Sequence, residues 1–202
     1  MKLFYSPGAC SLSPHIVAQE LGLPLDLVKV NLQTRTIESQ GDFLKINPKG
    51  YVPAIQMEDG SVLTEGPAIV QYIADLKPEG NLVPRAGTLE RYRMQELLGY
   101  INSEIHKSYS PLFNPAALEQ TRADSKAYLA KRYKLIEERL AGKDYLFGKQ
   151  FTAADAYLFT VTNWAHSVKV DLSGFPNLMA FQKRVAARPA VQAAMKAEGL
   201  IA

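Results

Sequence analysis

The chain of 202 residues has one cysteine, one tryptophan and three histidines, and it lacks any long uninterrupted apolar run. Each scarcity excludes something. A single cysteine, Cys10, forms no internal disulfide and supplies no cysteine cluster for a metal. His15, His106 and His166 are too far apart for an H-x-x-x-H pair, so no metal is expected. Without roughly 20 consecutive apolar residues no spanning helix is expected. The opening Met-Lys-Leu-Phe-Tyr-Ser-Pro-Gly turns over too early for a secretory leader. A Gly-rich phosphate loop, a G-x-S-x-G elbow and a dinucleotide fingerprint are also missing. These features predict a soluble protein of a reducing compartment, the cytoplasm.

What is present is ordinary globular material. An apolar fraction of 47 % with 21 % charge excludes a disordered or fibrous chain. The formal charge of +3 is unevenly spread, with residues 1–80 at net −3 and residues 81–202 at net +6. Basic residues alternate with acids, as in Lys131-Arg132 and Glu137-Glu138, and no basic stripe forms, so nucleic acid is not an expected partner. The sign change coincides with the Pro/Gly-rich stretch from Lys77 to Gly87. The predicted organisation is a domain over 1–80, a linker over 81–87 and a second domain over 88–202.

The first part alternates short elements of both kinds. Leu3-Phe4-Tyr5 reads as a strand stopped by Ser6-Pro7-Gly8. Ser11 to Leu21 reads as a helix on Leu12, Ile16, Val17 and Leu21, ended by Gly22 and Pro24. Leu27–Val30 follows as a strand parallel to the first, because βαβ crossovers are right-handed. After a helical or irregular stretch, Pro53–Met57 and Ser61–Leu63 flank an Asp-Gly turn as a hairpin, and Glu65–Leu76 is a helix. Beyond residue 87 only helices are predicted. Thr88–Ser108 buries Leu97, Leu98, Ile101 and Ile105, and a second helix buries Leu129, Tyr133, Ile136 and Leu140. Ala153–Ala165 is apolar nearly all round and opens on a Thr152/Asp155 capping box. Two further helices follow Pro176 and Pro189. The fold class is therefore a small α/β domain, βαβ-α-ββα, followed by an all-α domain.

Several residues carry candidate chemistry. Cys10 lies between the first strand and helix, flanked by Ser11 and Ser13 as possible caps. Helix dipoles there predict a lowered thiol pKa, against the alternative of a small buried hydrophobe. Val52-Pro53 opens a strand, either as an edge feature or as a cis bond that presents the Val52 backbone to an extended peptide. Glu65-Gly66-Pro67 opens a helix where free N–H groups suit a carboxylate and Glu65 suits an ammonium, or it is a plain cap. Glu96, Gly99, Ser103 and His106 form a stripe at helical spacing, in which His106 is either functional or a satisfied surface residue. Tyr109, Phe113 and Trp164 are candidates for an apolar pocket or for simple core.

Four segments together resemble the glutathione S-transferases, specifically the bacterial beta class. They are Phe4–Leu12, Asn47–Ala54, Leu63–Ile69 and Phe151–Phe159. The resemblance covers nearly the whole chain. It implies a thioredoxin-like N-terminal domain that holds glutathione and an all-α C-terminal domain with a pocket for a hydrophobic electrophile. It implies backbone contacts from Val52 to the cysteinyl unit, and Glu65 and Gly66 at the γ-glutamyl end. Cys10 is implied beside the glutathione sulfur, and Arg35 near the glycyl carboxylate in place of the more usual Lys. Ser103, Glu104 and His106 are implied to reach the site of the neighbouring subunit of a homodimer. Gly99 stands where relatives have Asn, so that side-chain contact is missing. Tyr5 and Ser11 are rival activators of the thiol beside Cys10 and His106.

The activity implied is conjugation of the glutathione thiolate to electrophilic apolar molecules, a detoxification reaction. Alternatives are a thiol transferase, peroxidase or reductive dehalogenase working through a Cys10 mixed disulfide, and a non-catalytic binding protein.

Overall fold

In the computed structural model, which describes residues 1–37 and 41–202, the chain forms two compact units, Met1–Val83 with Ala187–Ala202, and Pro84–Ala186.

The first unit is built on a five-stranded sheet in the order β3-β2-β1-β4-β5. The strands are β1 (Lys2–Tyr5), β2 (Asp26–Asn31), β3 (Thr36–Ile37), β4 (Ala54–Gln56) and β5 (Val62–Thr64). β1 and β2 are parallel, joined by α1 (Leu12–Leu21), as the crossover rule predicts. β1 with β4, β4 with β5, and β2 with β3 are antiparallel. Strand β3 has no counterpart in the sequence reading of an irregular middle stretch. Two residues carry no period-2 signal, and Arg35 just before them is at φ 59°. A 3-10 turn at Phe43–Lys45 follows, and Phe43 packs 5.5 Å from Phe4, centroid to centroid. α2 (Gly66–Asp75) buries Ile69, Val70 and Ile73, so the central strand β1 is covered and buried from Leu3 to Tyr5.

α8 (Pro189–Ala197), within the stretch 88–202 expected as the second domain, groups with this unit. It packs on α1 with Val191 and Ala194 buried. Arg188 Nε and Nη2 donate to Glu20 at 2.6 and 2.7 Å, and Glu198 Oε1 lies 3.0 Å from His15 Nδ1. A helix periodicity shows which face is buried but not which unit receives it.

The second unit is helical. α3 (Leu89–Tyr100) starts on Thr88, whose Oγ1 accepts from the Arg91 N–H at 3.3 Å. The predicted single helix 88–108 then widens into a π-helical turn at Ile101–His106 and tightens into a 3-10 turn at Lys107–Tyr109. The short α4 (Ser110–Phe113) follows, then α5 (Glu119–Leu140), α6 (Ala153–Ser167) and α7 (Pro176–Ala186). The buried positions of α5 are Leu129, Tyr133, Ile136 and Leu140, as its period predicts. α6 is buried continuously from Ala153 to Thr162. Glu137 of α5 holds the start of α7, accepting the Asn177 and Leu178 N–H groups at 2.9 and 2.8 Å.

Candidate functional site

The first unit carries Tyr5, Cys10, Ser11, Arg35, Val52, Glu65 and Gly66; the second carries Gly99, Ser103, Glu104 and His106.

β1 ends at Tyr5, itself buried, and the chain turns through Ser6–Ala9 with the Ala9 N–H on the Ser6 carbonyl at 3.0 Å. Gly8 allows this turn at φ 71°, and a Cβ there would lie 3.3 Å from Leu200. Its N–H donates to Glu198 Oε2 at 3.0 Å, so the buried Glu198 carboxylate joins this loop to His15. The Cys10 thiol donates to the Val52 carbonyl at 3.1 Å.

Here two expectations change. Burial pushes the Cys10 thiol up to about 12; backbone N–H groups of Cys10 and Ser11 oppose this, and Glu65 adds to it. Desolvation therefore outweighs the helix end that predicts a lowered value. Ser11 is no side-chain cap either. Its hydroxyl donates to the Ser6 carbonyl at 3.3 Å and accepts the Ser6 N–H at 3.2 Å, so its one proton is committed inside the turn. Ser13 likewise donates back to the Cys10 carbonyl at 2.8 Å.

The Val52-Pro53 peptide is cis. The loop before it is held by Asn47, whose Nδ2 donates to the Tyr51 carbonyl at 2.7 Å while Oδ1 accepts the Lys49 N–H at 3.2 Å. Arg35 donates to the Gly50 carbonyl and lies 5.7 Å from the Tyr51 ring centre. Glu65 sits at φ 71° ahead of α2, with Gly66 buried as the first helical residue. Its exposed carboxylate takes Lys49 Nζ at 2.8 Å, and Lys49 also donates to Thr64 Oγ1 at 2.9 Å. Lys49 thus contacts the candidate residue Glu65, a partner that the sequence does not single out. Sixteen residues separate the pair, and no periodicity links them.

On the second unit, Gly99 is exposed and a Cβ there meets nothing within 4 Å. A helix-interior glycine of this kind disfavours folding, so Gly99→Ala is expected to gain about 0.5–1 kcal/mol in urea unfolding. A loss instead would show another surface closed over this position. Ser103 donates to the Gly99 carbonyl at 3.1 Å. Glu104 Oε2 accepts from Tyr128 at 2.6 Å and pairs with Arg132 Nε at 2.9 Å. The Tyr128 hydroxyl, then Arg132, holds this carboxyl below its ordinary range. His106 Nδ1 lies 2.6 Å from the Tyr157 hydroxyl, which donates to Asn102 Oδ1 at 2.8 Å. Trp164 meets His106, Tyr109 and Phe113 edge to face at 4.9, 5.6 and 5.6 Å. Of these, Tyr109 is fully buried and bonded to Tyr133 at 2.9 Å, which makes it core, while Phe113 is 50 % exposed. Among the described residues no group of three His, Cys, Asp or Glu side chains is placed to hold a metal.

Residues 8–76 match the glutathione S-transferase N-terminal domain and residues 100–189 the C-terminal domain. Glutathione S-transferase GstA of Escherichia coli O157:H7 is 46 % identical, across 99 % of this chain and 100 % of that protein. Glutathione S-transferase GST-4.5 of Xanthomonas campestris pv. campestris is 37 % identical over the same shares. Among solved structures, the ternary complex of BphK, a bacterial GST, superposes with a TM-score of 0.97 at 51 % identity, covering 99 % of this chain and 100 % of that one. A bacterial beta-class enzyme from Sphingomonas chungbukensis gives 0.96 at 47 % identity, with both chains covered in full. With both domain matches, full-length relatives and the same fold, the chain belongs to the glutathione S-transferase family.

Proposed function

We propose that this glutathione transferase conjugates the thiolate of glutathione to electrophilic, apolar small molecules, and that Cys10 serves as a protonated donor rather than as a nucleophile. The observation that carries this reading is the Cys10 thiol itself. Burial keeps it protonated, and that one proton, which rests on the Val52 carbonyl, must turn from it to be donated to a neighbouring thiolate; a protonated thiol suits disulfide chemistry poorly.

Glutathione is the co-substrate, and a structure of a related sphingomonad enzyme, 44 % identical, is complexed with it. In our reading the Val52 backbone pairs with the cysteinyl unit, as strand-edge peptide recognition does. Glu65 takes the γ-glutamyl ammonium from Lys49, Gly66 offers its N–H, and Arg35 meets the glycyl carboxylate. Ser103, Glu104 and His106 of the partner subunit complete the site in a homodimer. The exposed Phe113 beside Trp164 fits an aromatic electrophile. The glutathione S–H loses its proton, the sulfur forms a bond to the electrophilic carbon, and the leaving group departs with its electron pair. Among the described residues no helix is long and apolar enough to cross a membrane, and an unpaired thiol suits the cytoplasm.

Cys10→Ala tests the assignment. Conjugation of a chloro-nitroaromatic is expected to survive largely, and any glutathione-dependent disulfide reduction to vanish. Loss of conjugation with glutathione binding intact would show that activation rests on Cys10 alone and is not shared with Ser11, Tyr5 and His106. Failure of the wild-type protein to bind immobilised glutathione would instead favour a non-catalytic role.

A further inference from the structure

Arg122 lies in the first turn of α5, where a cation opposes the helix dipole, so helix stability does not explain its placement. Helical side chains lean toward the N-terminal end, and that lean carries the guanidinium back over the loop between α4 and α5. There its three nitrogens meet three backbone carbonyls. Nη1 donates to Leu112 at 3.1 Å, Nη2 to Asn114 at 2.6 Å and Nε to Ala117 at 3.3 Å. The end of a helix leaves its last carbonyls without partners, and a planar fork of donors satisfies several of them at once.

Leu112 and Asn114 are the two chain neighbours of Phe113, so the guanidinium grips the backbone on both sides of that residue. The loop is braced from within as well. Asn114 Oδ1 accepts the Ala116 N–H at 3.0 Å, and the Asn114 carbonyl takes the Ala117 N–H at 3.1 Å beside Arg122. The Phe113 ring meets Trp164 edge to face at 5.6 Å and the buried Tyr109 at 6.4 Å, and half of it stays exposed. An apolar ring is thus presented on a backbone that is already fixed.

We infer that Arg122 is a positioning residue that favours ring-bearing electrophiles, by holding Phe113 as a preformed face on which an aromatic ring packs. The inference deepens the proposed conjugation and rests on the reading that the exposed Phe113 meets the electrophile. Arg122 acts only through the loop that it grips. Lysine, with all its donors on one atom, does not reproduce the three-carbonyl grip.

The test compares two ligands that share glutathione and differ in one group, S-(dinitrophenyl)glutathione and S-methylglutathione, by calorimetric titration of the full chain. Wild type is expected to bind the aryl conjugate more tightly. Phe113→Ala should reduce that preference about fivefold, the weight of one aromatic pair. Arg122→Met and Arg122→Lys should reduce it by a similar factor, with the affinity for S-methylglutathione unchanged in each variant. On top of Phe113→Ala, Arg122→Met should change the preference no further, because the two substitutions remove the same contact. Equal weakening of both ligands in the Arg122 variants would show a purely structural role and overturn the inference. So would an unaltered preference there, or a second loss of preference beyond that of Phe113→Ala. No preference in wild type, or an unaltered one in Phe113→Ala, would instead refute the placing of the electrophile on Phe113, and with it the role inferred for Arg122.

Discussion

Replacement of Asp155 by alanine is expected to destabilise the protein by about 3–5 kcal/mol, the size typical of breaking a buried, fully bonded charge site. Asp155 is fully buried at the start of α6, and its two oxygens accept three hydrogen bonds. Oδ1 takes the Leu146 N–H at 2.8 Å, and Oδ2 takes the Thr152 N–H and hydroxyl at 2.8 and 2.6 Å. Alanine leaves all three donors dry, and each unmet buried donor costs roughly 1–3 kcal/mol. At about 2–4 °C per kcal/mol for a chain of this size, calorimetry should record a fall of roughly 10 °C in the unfolding temperature.

The same residue has a pH signature. Burial raises the Asp155 carboxyl to about 6, against the pull of its three donors, so the native state holds a proton that the unfolded chain releases. Its contribution to stability is thus fully present below about pH 4 and declines as pH rises through about 6. Asp155→Asn, which never ionises, should consequently lie further below wild type at pH 4 than at pH 7.

Cys10 is expected to react with iodoacetamide at pH 7.5 about a thousand times more slowly than an ordinary cysteine of pKa near 8.5. The alkylating species is the thiolate, and a thiol pushed to about 12 holds very little of it at that pH. The rate in unliganded protein should rise about tenfold per pH unit from 7 to 10, as expected while pH stays well below the thiol pKa. A plateau below about pH 9, near an unperturbed thiol, would show that helix dipoles win over burial after all.

That reversal marks where reading from residues alone stops. Elements written in local patterns were legible: the β1-α1-β2 crossover, the Asp-Gly hairpin, the buried row Leu129, Tyr133, Ile136 and Leu140, and the Thr152/Asp155 box. The four motifs were enough to identify the family. Burial of Cys10 was not legible, because it depends on Val52, forty-two residues away, and on what packs around them. Lys49 on Glu65, Glu198 on the Gly8 loop and Tyr157 on Asn102 are pairings of the same kind. Separations of 16, 190 and 55 residues leave no periodic trace. The two-residue strand β3 and the π-helical turn escaped for the opposite reason, being too short for any period to show.

The central claim is that glutathione ionises in this site while Cys10 stays protonated. Its most direct measurement is an ultraviolet difference titration of the thiolate of bound glutathione, in wild type and in Cys10→Ala. The predicted result is a thiolate band in both proteins with a midpoint below that of a free thiol, about 8.5. A wild-type band that appears only above that value, or a midpoint that Cys10→Ala lowers, as removal of a second thiolate would, contradicts it.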